Sequence, residues 1–244
     1  MFGYDLKQAA TYFLQDDKKI AKIAFLYVLA IAYIVLNHAK HFSPYYILLI
    51  IPYLYFVGYF AKNNNSRILK KENKLPELSD WKNYLIIGFK NIVGFTIYAV
   101  ACILIVGIIG IFLSLISLIP IFSNVVPTMK AAMPFVTVSG GIIAGILILL
   151  TTFCAQIAFS VNLKLKSFFD FKLIKQILFT NHKLFLRLLL VMIVVGLLNI
   201  IIVVILSITI IGVVLIPFAE IYLCMIVSDL YGQFISKSTQ VNEG

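Results

Sequence analysis

One acid and one amide near the C-terminus are the side chains best placed for chemistry in this 244-residue chain. Glu220 stands in an apolar segment three residues after Pro217, and Asn199 stands in the apolar segment before it. If the chain turns near residues 209 and 210, the two side chains lie at similar depths of an antiparallel hairpin. We then expect a hydrogen bond between them. Ionisable groups inside a membrane are costly and are functional candidates by default. The pair therefore predicts either a clasp between two helices or a binding site for a proton or a substrate.

The remaining chemistry-bearing residues do not have the spacing of a catalytic or metal site. Cys102, Cys154 and Cys224 all stand in apolar runs without C-x-x-C spacing, which is typical of small buried side chains. Asp229, near the inner end of the last apolar segment, is expected to be solvated. The motifs of zinc proteases, serine hydrolases, P-loop proteins and dinucleotide-binding folds are absent. We therefore expect no catalytic residue, no metal, no cofactor and no enzymatic activity.

Three short motifs of the form acid–apolar–base recur along the chain, and the second contains its only tryptophan. They are Asp5-Leu6-Lys7, Asp80-Trp81-Lys82 and Asp170-Phe171-Lys172. An Asp at a helix start can accept backbone N–H bonds and interacts favourably with the helix dipole. The apolar side chain that follows can lie at headgroup level, and the Lys can reach phosphates. Each motif therefore predicts the start of a helix at the membrane interface, with a docking site for a lipid headgroup or a partner protein as the sharper alternative.

The elements that must position these residues follow from the composition, which is 62% hydrophobic and only 12% charged, with a mean hydropathy of +1.04. Soluble domains are nearer half apolar and a quarter charged. A helix that spans a bilayer needs about 20 mostly apolar residues. Six apolar stretches can be drawn, at roughly residues 20–36, 45–61, 91–119, 135–163, 187–208 and 212–232. We predict an all-α, polytopic transmembrane bundle of six spans in a single domain over residues 1–244.

The basic residues are sorted along the chain rather than gathered in one patch. Of the 20 Lys and Arg residues, 18 fall before the first span, between the second and third, between the fourth and fifth, or after the sixth. If the spans alternate in direction, all 18 lie on one side, which the positive-inside rule makes cytoplasmic. This predicts a multi-pass protein of the cytoplasmic membrane with both termini inside and residues 233–244 as a short cytoplasmic tail. The net charge of +10 then reports orientation, not nucleic-acid binding.

Each acid–apolar–base motif is followed by an amphipathic stretch and then by a pair of spans. The chain therefore divides into three similar units, each an interfacial helix followed by a helical hairpin. A turn at Ser207, Thr209 and Gly212 separates the last two spans, because residues 188–219 carry no charge and are too long for one span. The connection at residues 120–134 contains prolines and could be either re-entrant or surface-lying.

The stretch GYFAKNNNSRILKKENKLPELSDWKNYLIIGFKNIV, residues 58–93, resembles the signature of domain of unknown function 4013, a family of prokaryotic multi-span membrane proteins. The matching residues are Gly58, Tyr59, Lys62, Leu75, Pro76, Glu77, Asp80, Trp81, Gly88 and Lys90. Leu78 stands where the family usually has an aromatic residue, and the connector is rich in Lys and Asn rather than acidic. The resemblance implies a polytopic α-helical protein of the cytoplasmic membrane and transfers no activity.

Two functions lead from the sequence, ahead of an intramembrane enzyme as the third. The first is a non-enzymatic membrane protein that organises lipid or partner proteins, either alone or as a homo-oligomer. The second is a carrier for a small apolar or amphiphilic molecule, with Glu220 as its buried acid. A continuous cavity that reaches Glu220 would favour the carrier, whereas a closed and packed bundle at that point would favour the organising role.

Overall fold

A computed structural model describes residues 4–38, 46–69, 75–116, 145–146, 148–180 and 182–242, and every regular element in those ranges is helical. The helices are α1 (Leu6–Thr11), α2 (Lys19–His38), α3 (Tyr46–Ile68), α4 (Trp81–Ile116), α5 (Ile148–Asn162), α6 (Phe171–Lys175), α7 (His182–Ser207) and α8 (Ile210–Asn242). Single turns of tighter or wider helix occupy Tyr12–Gln15, Leu165–Phe169 and Gln176–Thr180. The predicted all-α class is confirmed for this part of the chain.

Within the described residues, three helical segments are long and apolar enough to cross a membrane. They are Trp81–Ile105, His182–Ser207 and Gly212–Ser238. The predicted first and second spans coincide with α2 and α3, while α5 is apolar but shorter than a full span. The end of the third predicted span, the start of the fourth and the connection at residues 120–134 lie outside the described residues. The chain is therefore a helical membrane protein.

Two helices run further than the sequence predicts. Helix α4 begins at Trp81 and continues without a break to Ile116, so the second motif opens a spanning helix directly. No proline interrupts those 36 residues, and nothing in them forces a separate interfacial helix. Helix α8 likewise continues to Asn242, so residues 233–242 are helical and extend the last predicted span. Only the first and third motifs open separate short helices, α1 and α6.

The predicted hairpin at the C-terminus is present. Helix α7 ends at Ser207 and α8 begins at Ile210, with two residues between them. The Thr209 hydroxyl accepts a hydrogen bond from the Gly212 backbone N–H at 2.9 Å, which satisfies one of the unpaired donors at the start of α8. The local turn chemistry therefore sets the boundary between the two antiparallel helices.

Helices α3 and α4 touch backbone to backbone at two glycines. A Cβ atom on Gly58 would lie 1.8 Å from the carbonyl oxygen of Tyr84, and one on Gly88 would lie 2.0 Å from that of Leu54. No side chain fits at either position unless the two helices separate. Small residues at such crossings let transmembrane helices gain close van der Waals packing. Both glycines belong to the stretch that carries the family resemblance.

The buried side chains form two clusters, both at the end of the bundle where α3 and α5 finish. One cluster joins α2, α3, α4 and α8 around Tyr59 and Tyr84, and the other joins α5, α7 and α8 around Phe159 and Phe234. Away from this end, the outer halves of α4 and α7 expose large apolar side chains such as Ile103. A soluble monomer rarely exposes so much contiguous apolar surface. Lipid is the solvent that these faces fit.

Candidate functional site

The three acid–apolar–base motifs all lie at helix starts, as their sequence predicts. The Asp5 carboxylate accepts the Gln8 backbone N–H at 2.8 Å, and the Asp170 carboxylate accepts that of Leu173 at 3.1 Å. Asp80 also directly precedes its helix, but its carboxylate accepts the side-chain amide of Asn83 at 2.9 Å instead. The predicted capping is confirmed at the first and third motifs, and at the second the acid pairs with a side chain of the first turn.

The apolar residue after each of these acids points away from the protein. The exposed fraction is 52% for Trp81 and 67% for Phe171, and Leu6 is also exposed. The Lys82 ammonium lies 5.7 Å from the centre of the Trp81 ring. Exposed rings beside lysines have the amphipathic form that suits the boundary between headgroups and acyl chains. The motifs therefore present three separate apolar–basic contact points.

The predicted hydrogen bond between α7 and α8 is present. The Asn199 side-chain amide donates to Oε1 of Glu220 at 3.0 Å. Pro217 lies inside α8, where it removes one backbone donor, and the nearby carbonyl of Val214 accepts the Tyr27 hydroxyl at 2.7 Å. The hairpin is thus clasped by one side-chain bond, and the segment before Pro217 is tied to α2 by the Tyr27 hydroxyl. A binding role for Glu220 and Asn199 stays a prediction.

The connector at residues 75–78, which carries the Leu-Pro-Glu of the family resemblance, is held by three tyrosines. The hydroxyls of Tyr55 and Tyr59 donate to the carbonyls of Leu78 and Pro76, each at 3.3 Å. The Tyr84 hydroxyl donates to the carbonyl of Glu77. The three rings pack against one another with centres 5.3–6.3 Å apart. This tyrosine cage fixes the connector against α3 and α4.

A buried ion pair holds the same connector from the other side. The Lys22 ammonium donates to Oδ2 of Asp16 at 3.0 Å, to the carbonyl of Leu75 at 2.7 Å and to Oε1 of Glu77 at 3.3 Å. The Asp16 carboxylate also accepts the backbone N–H groups of Leu75 and Lys18. Burial raises the pKa of Asp16, but these hydrogen bonds outweigh burial, and the pKa lies below its ordinary value.

A second buried ion pair joins the end of α3 to α8, where Arg67 pairs with Asp229. The exposed side-chain fractions are 7% and 1%, so the expectation that Asp229 is solvated is wrong. The guanidinium also lies 4.3 Å from the centre of the Tyr12 ring. The other Asp229 oxygen accepts a hydrogen bond from the Gln233 side-chain amide at 2.8 Å. The Gln233 amide nitrogen also donates to the Asp5 carbonyl, and the Gln233 amide oxygen accepts the Asp5 backbone N–H. This chain of contacts ties α1, α3 and α8 together.

Sequence reasoning missed both ion pairs because it assigned Lys22, Arg67 and Asp229 to solvated boundaries. Arg67 and Asp229 belong to different helices, and Asp16 lies outside α2, six residues before Lys22, so no periodic pattern within one helix reveals either pair. The close approach of the Arg67 backbone to Gly232, where a Cβ would lie 2.9 Å from the Arg67 carbonyl oxygen, brings α3 over α8. The feature of the sequence that could have indicated a buried pair is the position of Arg67 and Asp229 next to apolar runs.

Two polar pockets open at the surface of the described part of the chain. One, of about 450 Å³, is lined by Asn162, Lys164, Lys166, Ser167 and Asp170. The other, of about 410 Å³, is lined by Asp5, Gln8, Arg67, Asp229, Gly232, Gln233, Ser236 and Lys237. Neither of these two pockets includes Glu220 or Asn199. The side chains in the second are largely engaged with one another, whereas the first is rich in hydrogen-bond donors.

The family model described as "Protein of unknown function (DUF4013)" matches residues 42–228, most of the chain and well beyond the resemblance at residues 58–93. No curated protein and no solved structure matches the chain. In structural terms, the resembling stretch comprises the glycine crossing of α3 and α4, the caged connector and the start of α4. The chain belongs to the DUF4013 family of proteins of unknown function.

Proposed function

We propose that this protein is a non-enzymatic, six-span protein of the cytoplasmic membrane that organises lipid or partner proteins at its basic face, with both termini cytoplasmic. The observation that carries the proposal is the set of three helix starts that expose an apolar side chain beside a lysine. Such side chains match the amphipathic boundary of a bilayer. They are spread over three elements, α1, α4 and α6, and so do not form one enclosed site.

The contacts made by the end of α3 support the proposal of a single basic face. The end of α3 reaches the end of α5, where the Asn65 side-chain amide donates to the carbonyls of Ser160 and Val161 at 2.9 Å and 2.7 Å. The same end of α3 reaches α8 and α1 through Arg67. The segments richest in Lys and Arg therefore begin from one end of the bundle. Positive charge near a membrane favours the cytoplasmic side.

The two buried ion pairs support a structural rather than a catalytic role. Asp16, Lys22, Arg67 and Asp229 each have charged partners, and the buried acids accept further hydrogen bonds. Catalytic acids and bases need a proton that can move near neutral pH. The contacts of these four side chains instead hold the connector and the helix ends together.

The depth of Trp81 tests this proposal directly, because it is the only tryptophan. In vesicles of lipids brominated at graded depths, we expect the strongest quenching of its fluorescence by the shallowest bromine. Trp81→Phe combined with Phe171→Trp moves the reporter to the third motif, and we expect the same shallow profile there. Deep quenching, or no quenching at either position, would place these side chains away from the interface and reject the proposal.

A carrier role is the second candidate, and one observation favours it. Oε2 of Glu220 makes no hydrogen bond within the part of the chain that the structure describes, so it could take up a proton or a polar group of a cargo. Glu220→Gln keeps the size and the amide-accepting oxygen but removes the titratable group. If the protein is an organiser, the variant should lose about 1 kcal/mol of unfolding free energy or less.

Native mass spectrometry on gently extracted protein separates the two roles. An organiser should release the same lipids and partner proteins from wild type and from Glu220→Gln. A small molecule retained at fixed stoichiometry by wild type, and lost from the variant, would show a carrier and identify its cargo.

A further inference from the structure

We infer that the pocket between the end of α5 and the start of α6 binds the headgroup of an anionic phospholipid, of the phosphatidylglycerol type. This inference rests on the proposed membrane role and names a specific ligand for it. The pocket has a volume of about 450 Å³ and is lined by Asn162, Lys164, Lys166, Ser167 and Asp170. It will be called the α5–α6 pocket.

The α5–α6 pocket offers four donor side chains that have no acceptor within the described residues. These are the two ammonium groups of Lys164 and Lys166, the amide of Asn162 and the hydroxyl of Ser167. Asn162, Lys164 and Lys166 are solvent-exposed, and with Ser167 they line one open pocket. Ammonium, amide and hydroxyl groups are donors that bind phosphate oxygens.

Ser167 is the most informative of these donors, because only 3% of it is exposed. Other serines in the helices satisfy themselves: Ser160 and Ser228 each donate to the carbonyl four residues earlier, at 2.9 Å and 2.8 Å. Ser167 makes no such bond in the described chain and instead lines the pocket. Its oxygen is therefore accessible from the pocket, where an acceptor on a ligand can take its hydrogen bond.

The walls that hold Ser167 are rigid. Phe168 stacks on Phe159 with ring centres 4.8 Å apart and packs against Gly94, where a Cβ atom would lie 2.2 Å from the ring. Leu163 adopts a left-handed backbone with φ of 53°, which turns the chain sharply at the end of α5. A non-glycine residue in that region is strained and is kept only where the surroundings fix it. The pocket is therefore preorganised before any ligand arrives.

Charge and apolar rim together select an anionic lipid. The two lysines and Asp170 leave the pocket with a net positive charge, which favours a phosphate without a compensating cation. Asp170 accepts the Leu173 N–H through Oδ1, and its carboxylate can also accept a hydroxyl of a glycerol headgroup. Leu165 and Phe171 beside the pocket are exposed and apolar, as contact with acyl chains requires. A choline headgroup has no hydroxyl or ammonium N–H to donate to Asp170.

The test is native mass spectrometry of the full chain released from bilayers of phosphatidylcholine that contain a minor fraction of phosphatidylglycerol with the same acyl chains. We expect one phosphatidylglycerol molecule retained in preference to phosphatidylcholine. Retention should fall by about five-fold for each of Lys164→Gln and Lys166→Gln. Ser167→Ala, which changes no charge, should also lower retention, while Ser160→Ala should not.

The matched control removes one charge elsewhere, through Lys183→Gln, whose side chain is exposed and belongs to none of the three motifs. Equal loss in this control would show that net charge alone attracts the lipid, and would overturn the pocket. Displacement of the lipid by soluble glycerol phosphate at millimolar concentration would assign the pocket to a free phosphate compound instead. A shallow Trp81 without any phosphatidylglycerol preference would overturn only this pocket, whereas a deep or unquenched Trp81 would overturn the proposed function.

Discussion

Replacement of Arg67 by Met is expected to lower the free energy of unfolding by about 3–5 kcal/mol, the cost of leaving a buried charge without its partner. Asp229 is almost completely buried, and Arg67 is its only cationic partner within the described residues. In the variant the carboxylate keeps only the Gln233 amide. Denaturant unfolding of the purified protein in micelles, followed by Trp81 fluorescence, measures the change.

Two further variants distinguish the cost of the unpaired Asp229 charge from other causes of lost stability. Lys18→Met removes an exposed pair with Glu77 at 4.0 Å, and should cost less than about 1 kcal/mol. Arg67→Met combined with Asp229→Leu removes both charges and should recover most of the stability, as apolar replacements of buried pairs do. If the double variant is as unstable as the single one, the loss comes from the contact of Arg67 with Tyr12 rather than from Asp229.

The features that the sequence predicts well are those that depend on local chemistry. Asp5 and Asp170 cap helices because a short acid before an apolar run can only reach its own first turn. The turn after Ser207 follows from the length of one uncharged segment. The bond between Asn199 and Glu220 follows from counting outward from that turn, since two antiparallel helices place equidistant residues at equal depth.

The features that the sequence does not predict depend on contacts between distant segments. Arg67 and Asp229 are 162 positions apart, and only the crossing of α3 over α8 brings them together. Counting basic residues by loop places Lys22 before the first span and Arg67 after the second, whereas the structure has both of them buried and inside α2 and α3. The unbroken course of α4 is also hidden, because a polar helix start and an apolar span have no breaker between them to mark a boundary.

The structure gives the family signature a physical meaning that its residue types alone do not. Gly58 and Gly88 allow α3 and α4 to touch, and that contact aligns Tyr59 with the tyrosine on the facing helix. The aligned hydroxyls then hold the connector at residues 75–78 by its carbonyls. Proline suits this arrangement because its carbonyl is an acceptor and it has no N–H to satisfy. The residues of the signature thus dock the connector against α3 and α4.

Replacement of Lys22 by Met should release that connector and lower the free energy of unfolding by about 3–5 kcal/mol. Lys22 neutralises the buried Asp16 and donates to the Leu75 carbonyl, so the variant strands a charge and frees the connector together. Hydrogen exchange should rise at the Leu75 amide, which donates to Asp16. The matched control is Lys19→Met, whose ammonium makes only an exposed bond to the Leu14 carbonyl at 2.7 Å, and little change is expected there.

The pH dependence of the Lys22→Met effect shows whether Asp16 is the cause. In wild type the folded-state pKa of Asp16 lies below its ordinary value, so its stabilising contribution is present above about pH 4 and is lost as the pH falls through the folded-state pKa. A protonated Asp16 needs no counter-ion, so the difference between wild type and variant should shrink as the pH is lowered from 7 towards that pKa. A difference that stays constant with pH would mean that Lys22 acts through the Leu75 carbonyl alone, and the ion pair would then be incidental to the docking of the connector.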